Sequence, residues 1–289
     1  MWNLKVRKMK ILKYLTCSLA LMLMVVSCDK HEILYDTMPA AEAEFQLHYF
    51  EPIKNDAANY IDSVFVNGKL LSSMNGSGTL YPYNAIPSGA TGRFFAVNAG
   101  ETEFVFYRGG KEVYRQTAVL NKGKQNVFVH DLAKAPIVMD NGYPYQHISG
   151  TPSVATWNTD SLATIKFVNL LYEDATTPYP GKLQYQWRHP KTKVYHNLGE
   201  PVAFGEATER IPVTVLKTKF NSSGYCTIYY KILDEDGNVL KYGEADGTMT
   251  NYSDYWTTYI GRAYMHFYAG VRQGGDVGPE ASVRVWTSL

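Results

Sequence analysis

Past residue 42, apolar and polar residues alternate in short runs, and this limits the chain's folding options more than any other feature. In AEFQLHYFE the residues Phe45, Leu47 and Tyr49 fall on one side of an extended chain. Wound as a helix, Phe45 and Tyr49 would share a face and Leu47 would fall on the opposite one. The pattern recurs in IDSVFVNGKLL, TEFVFYRGGKEVYRQTAVL, KQNVFVHDL, GKLQYQWRH, RIPVTVLKTKF, GYCTIYYKIL, GRAYMHFYAG and ASVRVWTSL. Turn signals separate the runs: Asn67-Gly68, Arg108-Gly109-Gly110-Lys111 and Asp236-Gly237-Asn238. With 23 Tyr and 12 Phe the side chains are those that pack well on a pleated surface. The expected fold is all-β, built as two tandem antiparallel β-sandwiches.

Composition places the boundary between them. Residues 141–160, NGYPYQHISGTPSVATWNTD, are dense in Gly, Pro, Ser, Thr and Asn, as linkers are. This gives a first sandwich over 42–146, a linker over 147–160 and a second sandwich over 161–289, with Tyr143 and Tyr145 packing the junction. The two halves align in order. AEFQLHYFE matches ATIKFVNLLYE, FVFYRGGKEVYR matches IYYKILDEDGNVLKY, and VFVHD matches HFYAG, which reads as an internal repeat.

The N-terminus reads differently. Lys5, Arg7, Lys8, Lys10 and Lys13 precede an apolar run from Tyr14 to Val26. A membrane-spanning helix needs about twenty apolar residues, so this is signal-peptide anatomy. The run ends Val25-Val26-Ser27-Cys28, which resembles the bacterial lipobox. That resemblance implies that residues 1–27 are removed and that the thiol of Cys28 carries a diacylglycerol, leaving 28–41 as a tether. Additional acyl chains make such an anchor stable. Of the cysteines Cys17, Cys28 and Cys226, only Cys226 would then remain as a thiol, so no intrachain disulfide is expected.

Charge excludes several partners. The chain has 28 Lys and Arg against 27 Asp and Glu, and the signal segment holds several of the cations. No basic footprint for nucleic acid results. Phosphate-cradling loops, a nucleophile elbow and paired-cysteine metal motifs are missing from the sequence. No cofactor and no metal are expected. His189 and His196 flank HPKTKVYH, Asp234 to Asn238 superficially suggest a calcium loop, and Glu200, Glu206 and Glu209 lie close together. Each reads more simply as turn or surface chemistry. The best ligand candidates are aromatic: Tyr252, Tyr255 and Trp256 in TMTNYSDYWTTYIGRAY, and Trp187 beside Arg188 in QYQWRHP. Such rings stack on sugars or anchor protein partners. The alternative is that Trp256, with Tyr259, is an inward strand residue.

Beyond the lipobox, IDSVFVNGKLL, the run from YNAIPSG to FFAVNAG, and KQNVFVHDLAKAPIVMDN leading into ATIKFVNL resemble an uncharacterised family of tandem immunoglobulin-like lipoproteins of Bacteroidetes. The resemblance implies immunoglobulin-like sandwiches and an outer-membrane lipoprotein, facing either the cell exterior or the periplasm, and implies no catalyst. The expectation is a non-enzymatic binding or structural protein whose partner is a glycan or a surface protein. Alternatives are a carbohydrate-binding accessory protein, a glycan hydrolase, or a pilus-like subunit with a donated or unpaired strand.

Overall fold

The computed structural model describes residues 42–77, 80–87, 93–141, 160–244, 246–274 and 280–287. The signal segment, Cys28, the tether, Tyr143, Tyr145 and the linker up to residue 159 lie outside these. Residues 41–289 form one compact unit.

Nineteen strands carry the described fold. The first half holds β1 (Glu42–Tyr49), β2 (Ser63–Val66), β3 (Lys69–Ser73), β4 (Asn84–Ile86), β5 (Phe95–Asn98), β6 (Gly100–Arg108), β7 (Lys111–Leu120), β8 (Gly123–Val129) and β9 (Ile137–Asp140). The second holds β10 (Asp160–Tyr172), β11 (Gln184–Arg188), β12 (Tyr195–Asn197), β13 (Ile211–Leu216), β14 (Cys226–Leu233), β15 (Lys241–Gly243), β16 (Met249–Asn251), β17 (Ser253–Thr258), β18 (Ala263–Val271) and β19 (Ser282–Thr287). Helical structure among the described residues is confined to single turns such as Met74–Ser77. The sharp turns fall where the sequence marks them. Asn67 and Gly68 join β2 to β3 with φ of 49° and 74°, and Gly109 and Gly110 join β6 to β7 with φ of 58° and 71°. Positive φ at both central residues matches the right-handed twist of the flanking strands.

The halves share one topology. Strand orders are β4-β1-β8-β9, with β5 also on β1, and β3-β2-β6-β7 in the first half. They are β13-β10-β18-β19 and β12-β11-β14-β17 in the second. The expected matches of β1 with β10, β6 with β14 and β8 with β18 hold. The match of the strand after β6 does not. The topological counterpart of β7 is β17, because the chain after β14 first forms a separate ribbon, β15-β16. The sheets are also not wholly antiparallel, since β1 pairs parallel with β8 and β10 parallel with β18. Alternation reports which face a residue takes and carries no information on strand direction. A parallel pair needs only a long crossover, which the rest of each sandwich supplies.

Three cores hold the layers. Phe45, Leu47, Tyr49, Val64, Phe104, Phe106 and Val127 pack between the two sheets of the first half. Ile165, Phe167, Tyr185, Ile228, Tyr230, Trp256 and Tyr268 do so in the second. The third core joins the halves. Phe50 and Phe128, on the far face of the β1-β8 sheet, pack with Val168, Leu170, Met265, Phe267 and Trp286 of the β10-β18-β19 sheet. Phe128 meets Phe267 edge-on at 4.9 Å. Each buried ring or aliphatic side chain contributes about 1.5–3 kcal/mol. The result is four stacked sheets with the β1 and β10 sheets in the middle. Every residue of β18, AYMHFYAGV, is buried, as a parallel-paired strand covered on both faces must be. The two outermost sheets, β3-β2-β6-β7 and β12-β11-β14-β17, each leave one face to solvent.

Candidate binding face

Three of the four candidate aromatics are core residues. Trp187 on β11 is 7% exposed, and Tyr252 and Trp256 are 5% exposed. Trp256 packs edge-on against Tyr264 and His266 at 4.8 and 4.9 Å. The Tyr252 hydroxyl accepts from the backbone N–H of Val283 at 2.8 Å, tying the β16–β17 junction to β19. None of the three offers a free face. The physical reason is that the segment TMTNYSDYWTT is largely strand, with Tyr252 at the junction of β16 and β17: within β17 alternation sends Trp256 inward and Tyr255 outward. Tyr255 is 57% exposed and is the one candidate on the surface.

Tyr255 has company on the outer face of the β12-β11-β14-β17 sheet. On β14, Cys226, Ile228, Tyr230 and Ile232 point into the core, so Tyr229 and Lys231 point out. Tyr229 pairs directly with Tyr255, their rings 5.9 Å apart. The Arg188 guanidinium of β11 lies over the Tyr229 ring at 5.8 Å, and Arg188 pairs with Tyr195 of β12. One row across the sheet therefore reads Tyr195, Arg188, Tyr229, Tyr255. The next reads Asn197, Gln186, Lys231, Ser253 by direct pairing. Gln186 donates from Nε2 to Asn197 Oδ1 at 2.7 Å, and the Lys231 ammonium lies 4.6 Å from the Tyr195 ring centre. Four strands about 4.8 Å apart make each row about 14 Å long. The strands fix the backbone positions, and neighbours steady the side chains: Arg188 Nε donates to the Lys193 carbonyl at 3.3 Å. Sequence reasoning missed Tyr195, Tyr229 and Lys231, although the alternation of GYCTIYYKIL already required one tyrosine of its pair to face outward.

The other chemical candidates serve turns. The Nδ1 of His189 accepts from the backbone N–H groups of Lys191 and Thr192, both at 3.2 Å. Asp234 Oδ1 accepts from the N–H groups of Asp236 and Asn238, closing the hairpin. Glu200, Glu206 and Glu209 are exposed, and Glu206 accepts from the N–H of Ala203 at 2.9 Å. No cluster of three or more His, Cys, Asp or Glu able to hold a metal occurs among the described residues. Cys226 is buried, and burial pushes its thiol pKa up, away from a reactive thiolate. A cleft of about 610 Å³ is lined by Tyr179, Asp234, Asn238, Lys241, Asn251 and Arg272. Its arginine is committed to a forked ion pair with Glu173, both contacts at 2.5 Å.

The opposite outer sheet is chemically different. Leu70 and Val119 are 58% and 64% exposed there, and Arg115 is clamped by Glu103 and Glu112 at 2.6 and 2.7 Å. The sheets thus present distinct faces despite their shared topology.

No protein family and no curated protein matches the chain. Among solved structures it is similar to the Bacillus anthracis TIE protein at 8% identity and a TM-score of 0.20, covering 78% of this chain and 33% of that one. The chain thus spans about a third of that protein's length. It is also similar to a candidate cell adhesion protein from Bacteroides uniformis ATCC 8492, at 11% identity and a TM-score of 0.22, covering 86% of this chain and 99% of that one.

Proposed function

We propose that the protein is a lipid-anchored, non-enzymatic binding protein of the outer membrane, and that the outer face of the β12-β11-β14-β17 sheet is its contact surface. The observation that carries the reading is the row Tyr195, Arg188, Tyr229, Tyr255, aromatic and cationic groups held outward on a rigid sheet. Tyrosine supplies large, stiff contact area at low entropic cost, and its place on a strand preorganises it. The lipobox at Cys28 supports the anchor, and cell-surface exposure gives such a face something to meet. The hydrolase reading relied on Glu200, Glu206 and Glu209, which sit exposed near turns. The pilus-like reading calls for a donated or an unpaired strand; β19 pairs with β18 of its own chain from Tyr264↔Thr287 to Ala269↔Ser282 and stands at the edge of its sheet.

Protease shaving of intact cells tests the location. Loss of the full-length protein before the outer membrane is broken supports an outward-facing binding protein. Survival of the signal until the membrane is broken withdraws that reading.

A further inference from the structure

We infer that the ligand of this face is an anionic polysaccharide, its sugar rings lying on the tyrosines and its carboxylates or sulfates meeting Arg188 and Lys231. The inference rests on the proposed binding role of this sheet and adds the chemistry of what is bound. Charge complementarity carries it. The outward positions of the two central rows are Tyr195, Arg188, Tyr229, Tyr255, Asn197, Gln186, Lys231 and Ser253. Two are cations and none is a carboxylate, in a chain where acids and bases are otherwise nearly balanced. The nearby Asp254 pairs across the sheet with Tyr230, takes a hydrogen bond from its largely buried hydroxyl at 3.3 Å and does not belong to these rows. The other outer sheet, with the same topology, neutralises its Arg115 with two glutamates. Among the described residues, the cations beside the tyrosines carry no such carboxylate partner on their own face. Both instead lie over aromatic rings, a position that leaves their charge available to an anion.

The neighbouring groups suit a sugar. Gln186, Asn197 and Ser253 present amide and hydroxyl donors and acceptors in a line beside the tyrosines, matched to hydroxyls on a chain crossing the strands. A row about 14 Å long is wide enough for a short oligosaccharide stretch. Single-stranded nucleic acid also stacks on aromatic rings, but it binds through a groove of many cations whose contribution grows with each phosphate neutralised. Two cations are a poor match for that and a good one for a polymer with spaced charge.

The test is retention of the full-length chain, held in detergent micelles, on polygalacturonate, on its fully methyl-esterified form, and on single-stranded DNA at equal ionic strength. Retention is expected on polygalacturonate and to be about a hundredfold weaker on the ester, as for loss of two charge-assisted contacts. Raised salt should weaken it. Arg188→Gln with Lys231→Gln should reproduce the loss on polygalacturonate without lowering the thermal unfolding midpoint, and Arg188→Lys with Lys231→Arg should largely restore binding. Equal, tyrosine-dependent retention on both polymers would overturn the charge inference while leaving the face as the contact surface. Retention insensitive to Tyr229→Ala and Tyr255→Ala would overturn the face itself. No retention on polygalacturonate, or stronger tyrosine-dependent retention on DNA, would overturn the anionic polysaccharide.

Discussion

Mild acid should weaken this fold through two histidines, and the size of the effect follows from their burial. His48 lies in the core joining the two halves, stacked on Phe128 at 4.7 Å and edge-on to Phe267 at 5.0 Å and Trp286 at 5.4 Å. Its Nε2 meets Asn126 Oδ1 at 3.1 Å. His266 lies in the second core, with Nδ1 meeting the Tyr185 hydroxyl at 3.1 Å. Burial lowers each pKa from 6.5 to about 3, because no anion offsets the charge of an imidazolium there. The folded pKa lies below the unfolded one, so the unfolded chain binds the protons. The stability from neutral burial is complete above pH 6.5 and is lost progressively as pH falls toward 3. Between pH 7 and pH 5 each histidine removes about 2 kcal/mol, and the pair about 4 kcal/mol, a large part of a typical 5–15 kcal/mol. His130, also lowered by burial, adds in the same direction. The assay is urea unfolding followed by tryptophan fluorescence at pH 7, 6 and 5. His48→Phe should fit its aromatic surroundings but leave Asn126 Oδ1 short of a donor, costing about 1–3 kcal/mol at pH 7. Its stability should then fall about 2 kcal/mol less than that of the parent on going to pH 5. An unchanged slope in the variant, or a flat parent curve, would refute the reasoning.

Other consequences are more local. Trp187→Ala and Trp256→Ala should each destabilise the fold by about 3–5 kcal/mol in chemical denaturation, as deletions of large core rings do, whereas Tyr255→Ala should leave stability nearly unchanged. Gly243→Ala should destabilise the chain by about 1–3 kcal/mol or more, measured by thermal unfolding, because a Cβ there would lie 2.1 Å from the Gln273 backbone carbonyl oxygen. Cys28→Ser should release the protein from the membrane fraction, and continued detergent-dependent fractionation would rule out the lipid anchor.

Strands and hairpins were legible in the sequence because each is set by neighbours along the chain. Period two in AEFQLHYFE puts Phe45, Leu47 and Tyr49 in the first core, and Asn67-Gly68 makes the turn it signals. What alternation does not convey is what lies beyond the strand's second face. His48 and Phe50 alternate with the core residues of β1 and look solvent-facing by pattern, yet they are buried because another sheet covers them. The same covering makes GRAYMHFYAG buried throughout β18. Pairing direction was equally hidden, since parallel β1–β8 and β10–β18 contacts join segments far apart in sequence. At the candidate site, aromatic content alone pointed to Trp187, Tyr252 and Trp256, and the strand parity that turns them inward was the stronger signal. Applied to β14, the same parity locates Tyr229 and Lys231 without a structure.

Hydroxyl-radical footprinting of the full-length chain with and without polygalacturonate tests the binding face most directly. The account predicts that Tyr195, Tyr229 and Tyr255 become protected together while Leu70 and Val119, exposed on the opposite outer sheet, keep their reactivity. Protection at Leu70 and Val119 with the three tyrosines unchanged would contradict it.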